Sequence, residues 1–246
     1  MQERLQKVLA QGTNLSRRAA EVAIKNGEVR VNGDVVSKLG SKADPERDRV
    51  TYKGKLVRLI RQKIYIIFNK PRNTIVSKTD EKGRPLIWDR LHPDMKEILN
   101  SAGRLDFDSE GLLILTNDGN FIQKLTHPSG ELWKTYYVKV SGIPSVEKLE
   151  KLRNGVKLDD GMTLPAKVEQ IRTTDKNAVL EISIREGRNR QVRRMCAKVG
   201  HNIMKLRRIA IGEIKLGNLK PGEWRYLGKK ELYYIKKVLA KIAKFP

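Results

Sequence analysis

Apolar residues in the first 60 positions come in short runs, with helical spacing first and alternation afterwards. Leu5, Val8 and Leu9 share one side of a helix, and Ala20, Ala23 and Ile24 share one side of a second. Ser16 is a suitable N-cap for that second helix, and Asn26 with Gly27 is a stop signal. Val29 to Val31 then alternates as a strand, Asn32-Gly33 is a hairpin turn, and 34–36 returns. Residues 49–56 read as a further strand pair about Lys53 and Gly54. From Ile64 onward strands dominate, at 64–68, 112–116, 136–140 and 179–184, with weaker signals at 166–171 and 212–216. Helices fit 145–154 and 190–199, and 229–244 is a basic amphipathic helix. Strands and helices interleave without strict alternation, which predicts an α+β chain whose larger part rests on a mainly antiparallel mixed sheet. The expected division is a small domain at 1–60 and a larger one at 61–246, with the charged segment 58–63 as linker.

Charge narrows the function. Lys and Arg number 51 against 28 Asp and Glu, a net charge of +23, which points to a polyanionic partner. Nucleic acid comes first and an anionic membrane surface second, the latter resting on the basic stretch 236–244. The single cysteine, Cys196, excludes an internal disulfide and a paired-cysteine zinc site, and its place on a predicted helix marks it as a core residue. His92, His127 and His201 are far apart, so neither a metal nor a cofactor is expected, and His127 beside Pro128 reads as a loop residue. No apolar signal segment opens the chain and no run approaches about 18 apolar residues, so a soluble, cytoplasmic protein is expected, with a monomer as the default.

Three clusters carry candidate chemistry. Ser16, Arg17 and Arg18 open a helix, where cations oppose the dipole; helix stability is therefore not their task, and arginines around a helix N-terminus suit phosphate. The stretch from Gly103 to Gly111 is a polar, glycine-bounded loop feeding an apolar strand, with Asp106, Asp108 and Glu110 in it. Arg190, Arg193 and Arg194 fall on one side of the predicted helix, and Arg188 precedes them, giving a dense cationic face. Taken alone, the acidic loop reads as an ordinary turn, and Tyr136 as an ordinary strand tyrosine.

Longer patterns separate these readings. Residues 5–36, with Ser-Arg-Arg-x-Ala-Glu followed by Val-x-Val-Asn-Gly, resemble an S4 RNA-binding domain. The stretch Gly-Arg-Leu-Asp-x-Asp-Ser-x-Gly-Leu-Leu from Gly103 resembles the signature loop of pseudouridine synthases, most closely the RsuA/RluB family acting on ribosomal RNA. Asn69-Lys70-Pro71, the Lys-x-Tyr at Lys134 to Tyr136, and the arginine-rich run from Gly187 to Arg194 follow the family's other motifs in order. Two positions depart from the pattern: Asn73 stands where glycine is frequent, and Ser109 where threonine is common. The resemblance implies Asp106 as the essential carboxylate, Tyr136 as the aromatic partner of the target base, and Arg193 as the cation beside Asp106. It also implies RNA contacts from Arg104, Lys134, Arg188, Arg190 and Arg194, no cofactor, and no metal.

The segments 126–136 and 217–224 look more like the large-subunit branch of that family, so large-subunit ribosomal RNA is the expected partner. Two other functions fit the charge: a synthase of the small-subunit branch, and a non-catalytic ribosome assembly factor with the same fold. The joint presence of Asp106 and Tyr136 favours chemistry over binding alone.

Overall fold

The computed structural model describes residues 2–59, 62–127 and 132–240. The chain divides into two compact units, Met1–Lys63 and Ile64–Pro246.

In the first unit the two predicted helices form at Leu5–Gly12 and Arg17–Lys25. The Ser16 side chain accepts a hydrogen bond from the Ala19 amide at 3.1 Å, as an N-cap should. A four-stranded antiparallel sheet follows, in the order Asp34–Val35, Val29–Val31, Val50–Tyr52, Lys55–Leu56. Asn32 and Gly33 both have positive φ, +54° and +101°, the backbone a tight hairpin turn requires. Leu5, Leu9, Ala20, Ile24 and Val29 close the core. A short ribbon pairing Glu3–Arg4 with Lys42–Ala43 has no signal in the sequence, because two-residue strands carry no periodicity.

The second unit is built on a nine-stranded sheet: β1 (Tyr65–Lys70), β2 (Asn100–Ser101), β3 (Glu110–Thr116), β4 (Lys134–Ser141), β5 (Lys167–Thr173), β6 (Asn177–Ile184), β7 (Ile203–Ile211), β8 (Ile214–Lys215) and β9 (Trp224–Tyr226). A short separate ribbon pairs Lys157–Leu158 with Gly161–Met162. The main order is β5-β6-β4-β7-β3-β1-β9, with β8 on β7 and β2 on β3. Every pairing is antiparallel except β3 with β7, which aligns Glu110 with Arg207 and Gly111 with Arg208. This parallel contact joins two halves of the sheet. Strand β3 is buried along its whole length, with Leu112 and Ile114 in one apolar cluster and Leu113 and Leu115 in another. A continuous apolar run thus becomes a strand covered on both faces, each buried side chain contributing about 1.5–3 kcal/mol.

The helices Val146–Asn154 and Gln191–Lys198 cover the β5-β6-β4 half, and Ser145 caps the first of them. Gly119–Thr126 and Lys229–Ala240 pack on the other half. The sequence pattern does not reveal Gly119–Thr126, β9 or β7. In β7 the basic residues Lys205, Arg207 and Arg208 hide the apolar alternation. Residues 60, 61 and 128–131, and the tail beyond 240, on which parts of the linker, branch and membrane-surface readings rest, lie outside the described residues.

Candidate active site

The parallel junction between β3 and β7 is where the site forms. Glycine is required at 111: a Cβ there would lie 2.2 Å from the Arg208 carbonyl oxygen, so any side chain would force the strands apart. Immediately before β3, residues 102–109 fold as a loop over a cavity of about 500 Å³. Asp106, Arg104, Tyr136, Lys134, Arg190 and Arg208 all border this cavity.

The loop is held from beneath by Lys70, at the end of β1. Its side chain is fully buried, and its ammonium donates to the carbonyls of Pro71 (3.1 Å), Asp106 (3.0 Å) and Ser109 (2.8 Å). Three donors thus meet three acceptors, which makes burial of the charge tolerable. Burial still pushes the Lys70 ammonium down to about 8, against the nearby charges of Asp106, Asp108 and Glu110, which raise it. Asn73, at φ +57°, donates its amide to the Phe107 carbonyl at 2.7 Å, so asparagine here adopts the left-handed backbone that glycine would supply.

The three acids of the loop take separate places. Glu110 is in β3, buried, and pairs with Lys205 at 3.0 Å. Asp108 accepts both terminal nitrogens of Arg190 (3.2 and 3.1 Å) and pairs with Arg193 at 3.2 Å. Burial pushes the Asp108 carboxyl up, but the Arg190 hydrogen bonds and the charges of Arg193 and Arg190 outweigh it and hold it below the usual range. Asp106 remains part-exposed to the cavity, with Arg190 Nη1 3.8 Å from its Oδ2.

The arginine cluster differs from its helical projection. Arg190 is not in the helix; it is the N-cap, with φ +46° and ψ 32°. This left-handed backbone is uncommon for arginine and turns the side chain toward the aspartate loop. Arg193, expected beside Asp106, instead reaches Asp108, its carbonyl (3.1 Å) and the Ser109 hydroxyl (3.5 Å). The cation nearest Asp106 is therefore Arg190. Arg194 makes a two-armed pair with Asp160 (2.9 and 2.8 Å), and Arg188 donates to the carbonyls of Asp160, Gly161 and Met162 and pairs with Glu186. The expected free cationic face is largely committed to the protein itself, because Arg190 and Arg193 turn to the aspartate loop and Arg188 and Arg194 to the segment at Asp160. In the first unit, Arg17 and Arg18 are exposed.

Tyr136 lies in β4, nearly buried, directly opposite Arg208 of β7 in register. Lys134 precedes it by two residues and so shares its face of the sheet. Burial, then the Arg208 charge, pushes the Lys134 ammonium down to about 8, against the opposing charge of Glu186. Cys196 is fully buried and its thiol is pushed up to about 12 by burial, consistent with a core residue. Among the described residues no group of His, Cys, Asp and Glu has the arrangement of a metal site, and no helix is long and apolar enough to cross a membrane.

Comparison with known proteins gives this geometry a family. Residues 64–198 match the RNA pseudouridylate synthase family, and residues 3–50 match the S4 domain. "Ribosomal large subunit pseudouridine synthase B" of Bacillus subtilis (strain 168) is 42% identical over 232 residues, covering 94% of each chain. "Ribosomal large subunit pseudouridine synthase E" of Vibrio parahaemolyticus is 48% identical over 174 residues, 65% of this chain and 72% of that one. A solved structure described as "Crystal structure of pseudouridylate synthase" superposes with a TM-score of 0.69 at 32% identity, covering 96% of this chain and 99% of that one. The chain belongs to the RNA pseudouridylate synthase family and carries an S4 domain ahead of its synthase domain.

Sequence reasoning names Lys70 only as part of a motif and passes over Arg208. A lysine closing an apolar strand just before proline is the signal that could have marked the first. For the second, the sequence holds no signal beyond a basic run.

Proposed function

We propose that this protein converts a specific uridine of large-subunit ribosomal RNA to pseudouridine, with Asp106 as nucleophile or base. The observation that carries this reading is Asp106 on the edge of a cavity of about 500 Å³ that it shares with Tyr136, under a loop fixed by Lys70. The cavity has the size of a small-ligand site, and a uridine inside a duplex could enter it only by leaving the stack.

In the reaction the N1–C1′ bond breaks and its electron pair leaves with N1. The ring turns, C5 bonds to C1′, the C5 hydrogen departs as a proton, and N1 gains one. Atoms and charge balance with no redox partner. Asp106 serves this exchange as nucleophile or base, and Arg190 places a positive charge beside it. Arg193 acts one step away by holding Asp108 and the loop. Tyr136 offers its ring to the flipped base. Arg104, exposed on the cavity rim, meets the RNA backbone, as do Arg17 and Arg18 at the capped helix of the S4 unit. The large-subunit substrate is supported by the names of the relatives from Bacillus subtilis and Vibrio parahaemolyticus. The protein works as a cytoplasmic monomer made of an S4 domain at 1–60 and a synthase domain at 61–246.

The test is carbodiimide primer-extension mapping of large-subunit RNA from cells with the wild-type protein, Asp106→Asn, or none. A stop present only with the wild type is expected. A map identical in all three strains, for both subunits' RNA, would return Asp106 to an acidic turn and favour the assembly-factor reading.

A further inference from the structure

Arg208 is a buried cation that has no part in the chemistry assigned to Asp106, Arg190 and Tyr136. It is 4% exposed and borders the cavity. Its Nε donates to the Leu112 carbonyl at 2.8 Å, which fixes the stem, while Nη2 is buried without any hydrogen-bond partner. Among the described residues no carboxylate forms an ion pair with it. Lys134, on the same face, also has no ion pair among them; its ammonium donates a long hydrogen bond to the Arg185 carbonyl at 3.5 Å. Two cations therefore stand together in the cavity wall, flanking Tyr136 along β4 and across to β7. The Arg208 guanidinium thus keeps hydrogen-bonding capacity that no protein acceptor uses among the described residues.

The acceptor follows from depth. The polymer's phosphates continue past the cavity mouth, where Arg104 and Arg190 are exposed. Buried cations beside the stacking ring are reached by the base. When the N1–C1′ bond breaks, the detached ring carries a negative charge shared among N1, O2 and O4.

We propose that Arg208, seconded by Lys134, holds the carbonyl edge of the target uracil and stabilises the uracil anion between its release from N1 and its return through C5. This rests on the synthase reading and assigns a transition-state role to a residue outside the aspartate loop. It also accounts for the glycine at 111, which lets β7 approach closely enough to bring Arg208 to the site. Stabilising a charge that exists only after bond cleavage raises turnover and leaves ground-state RNA affinity almost unchanged.

The test uses the full-length protein and a large-subunit RNA fragment carrying the mapped uridine. Single-turnover rates, RNA Kd and thermal melting are measured for wild type, Arg208→Gln, Arg208→Lys, and Arg208→Ala with and without added guanidinium. Arg208→Gln should slow the single-turnover rate by about 100-fold at unchanged Kd. Arg208→Lys should keep a substantial part of the rate, and guanidinium should partly restore Arg208→Ala. If every variant loses melting temperature and rate together, with no rescue and no benefit from lysine, Arg208 is only a strut for the β3–β7 junction and the proposal falls. A normal rate in a stable Arg208→Gln also overturns it and leaves the synthase reading intact. A wild type that makes no pseudouridine overturns the synthase reading itself, and this inference with it.

Discussion

The cavity has two cationic walls, and they are wired in opposite ways. On the wall formed by the start of the helix Gln191–Lys198 and its approach, Arg188 and Arg190 line the cavity and end on Glu186 and Asp108, while Arg193 and Arg194, which do not line it, end on Asp108 and Asp160. On the sheet wall, Arg208 is buried and Lys134 half-buried, and neither holds a carboxylate among the described residues. A cation that already holds a carboxylate gives its charge to architecture. A buried cation without one leaves an electrostatic demand that a substrate can meet. Counting arginines therefore misjudges where RNA or its base is gripped; the wiring has to be known.

Four experiments break or sharpen this contrast. The largest effect is expected at Lys70, a buried cation spent wholly on architecture. Lys70→Met leaves the carbonyls of Pro71, Asp106 and Ser109 without their donor. Urea unfolding should show a loss of about 2–4 kcal/mol, and displacement of Asp106 should cut activity by about 100-fold. Unchanged stability would mean that the loop stands without its buried support.

Next is the pH profile. Lys134 is held down to about 8, so its charge is present below that pH and lost as pH rises through it. Single-turnover rate should fall on the alkaline side of about pH 8. Lys134→Arg keeps the charge and should flatten most of the fall, any remainder belonging to Lys70, which is also held down to about 8. An identical alkaline limb in wild type and Lys134→Arg would remove Lys134 from the charged wall.

A smaller effect is expected for Arg17→Ala with Arg18→Ala in the S4 unit. RNA affinity should weaken, and the slope of log affinity against log salt should become shallower by about one for each phosphate that the arginines no longer neutralise, with single-turnover rate at saturation unchanged. An unaltered salt slope would place these arginines off the RNA.

The smallest belongs to Arg194→Ala. Its pair with Asp160 is part-exposed, and such pairs are worth about 0–1 kcal/mol. RNA affinity should hardly move. A weakening comparable to that of the Arg17 and Arg18 variant would show that the helix wall grips RNA despite its internal pairs.

Much of this protein is legible in its sequence because the relevant physics is local. The apolar spacing of Leu5, Val8 and Leu9, the cap at Ser16, the turn at Asn32-Gly33 and the continuous run of β3 each follow from neighbours within a few residues, and each is present in the fold. The motif around Asp106 likewise marks the loop that borders the cavity. Charge pairing is not legible. Arg190, Arg193 and Arg194 look equivalent on a helical projection, but a left-handed residue at 190 and the positions of Asp108 and Asp160 send them to three different tasks. Lys70 and Arg208 become central because the sheet brings β1, β3 and β7 side by side from positions 70, 111 and 208. Sequence determined the elements and the reactive loop, through short-range sterics and periodicity. Tertiary structure alone decided which charges are satisfied within the protein and which are left for a ligand, because a charge is satisfied by whatever the fold places within a few ångströms of it, however distant in the chain.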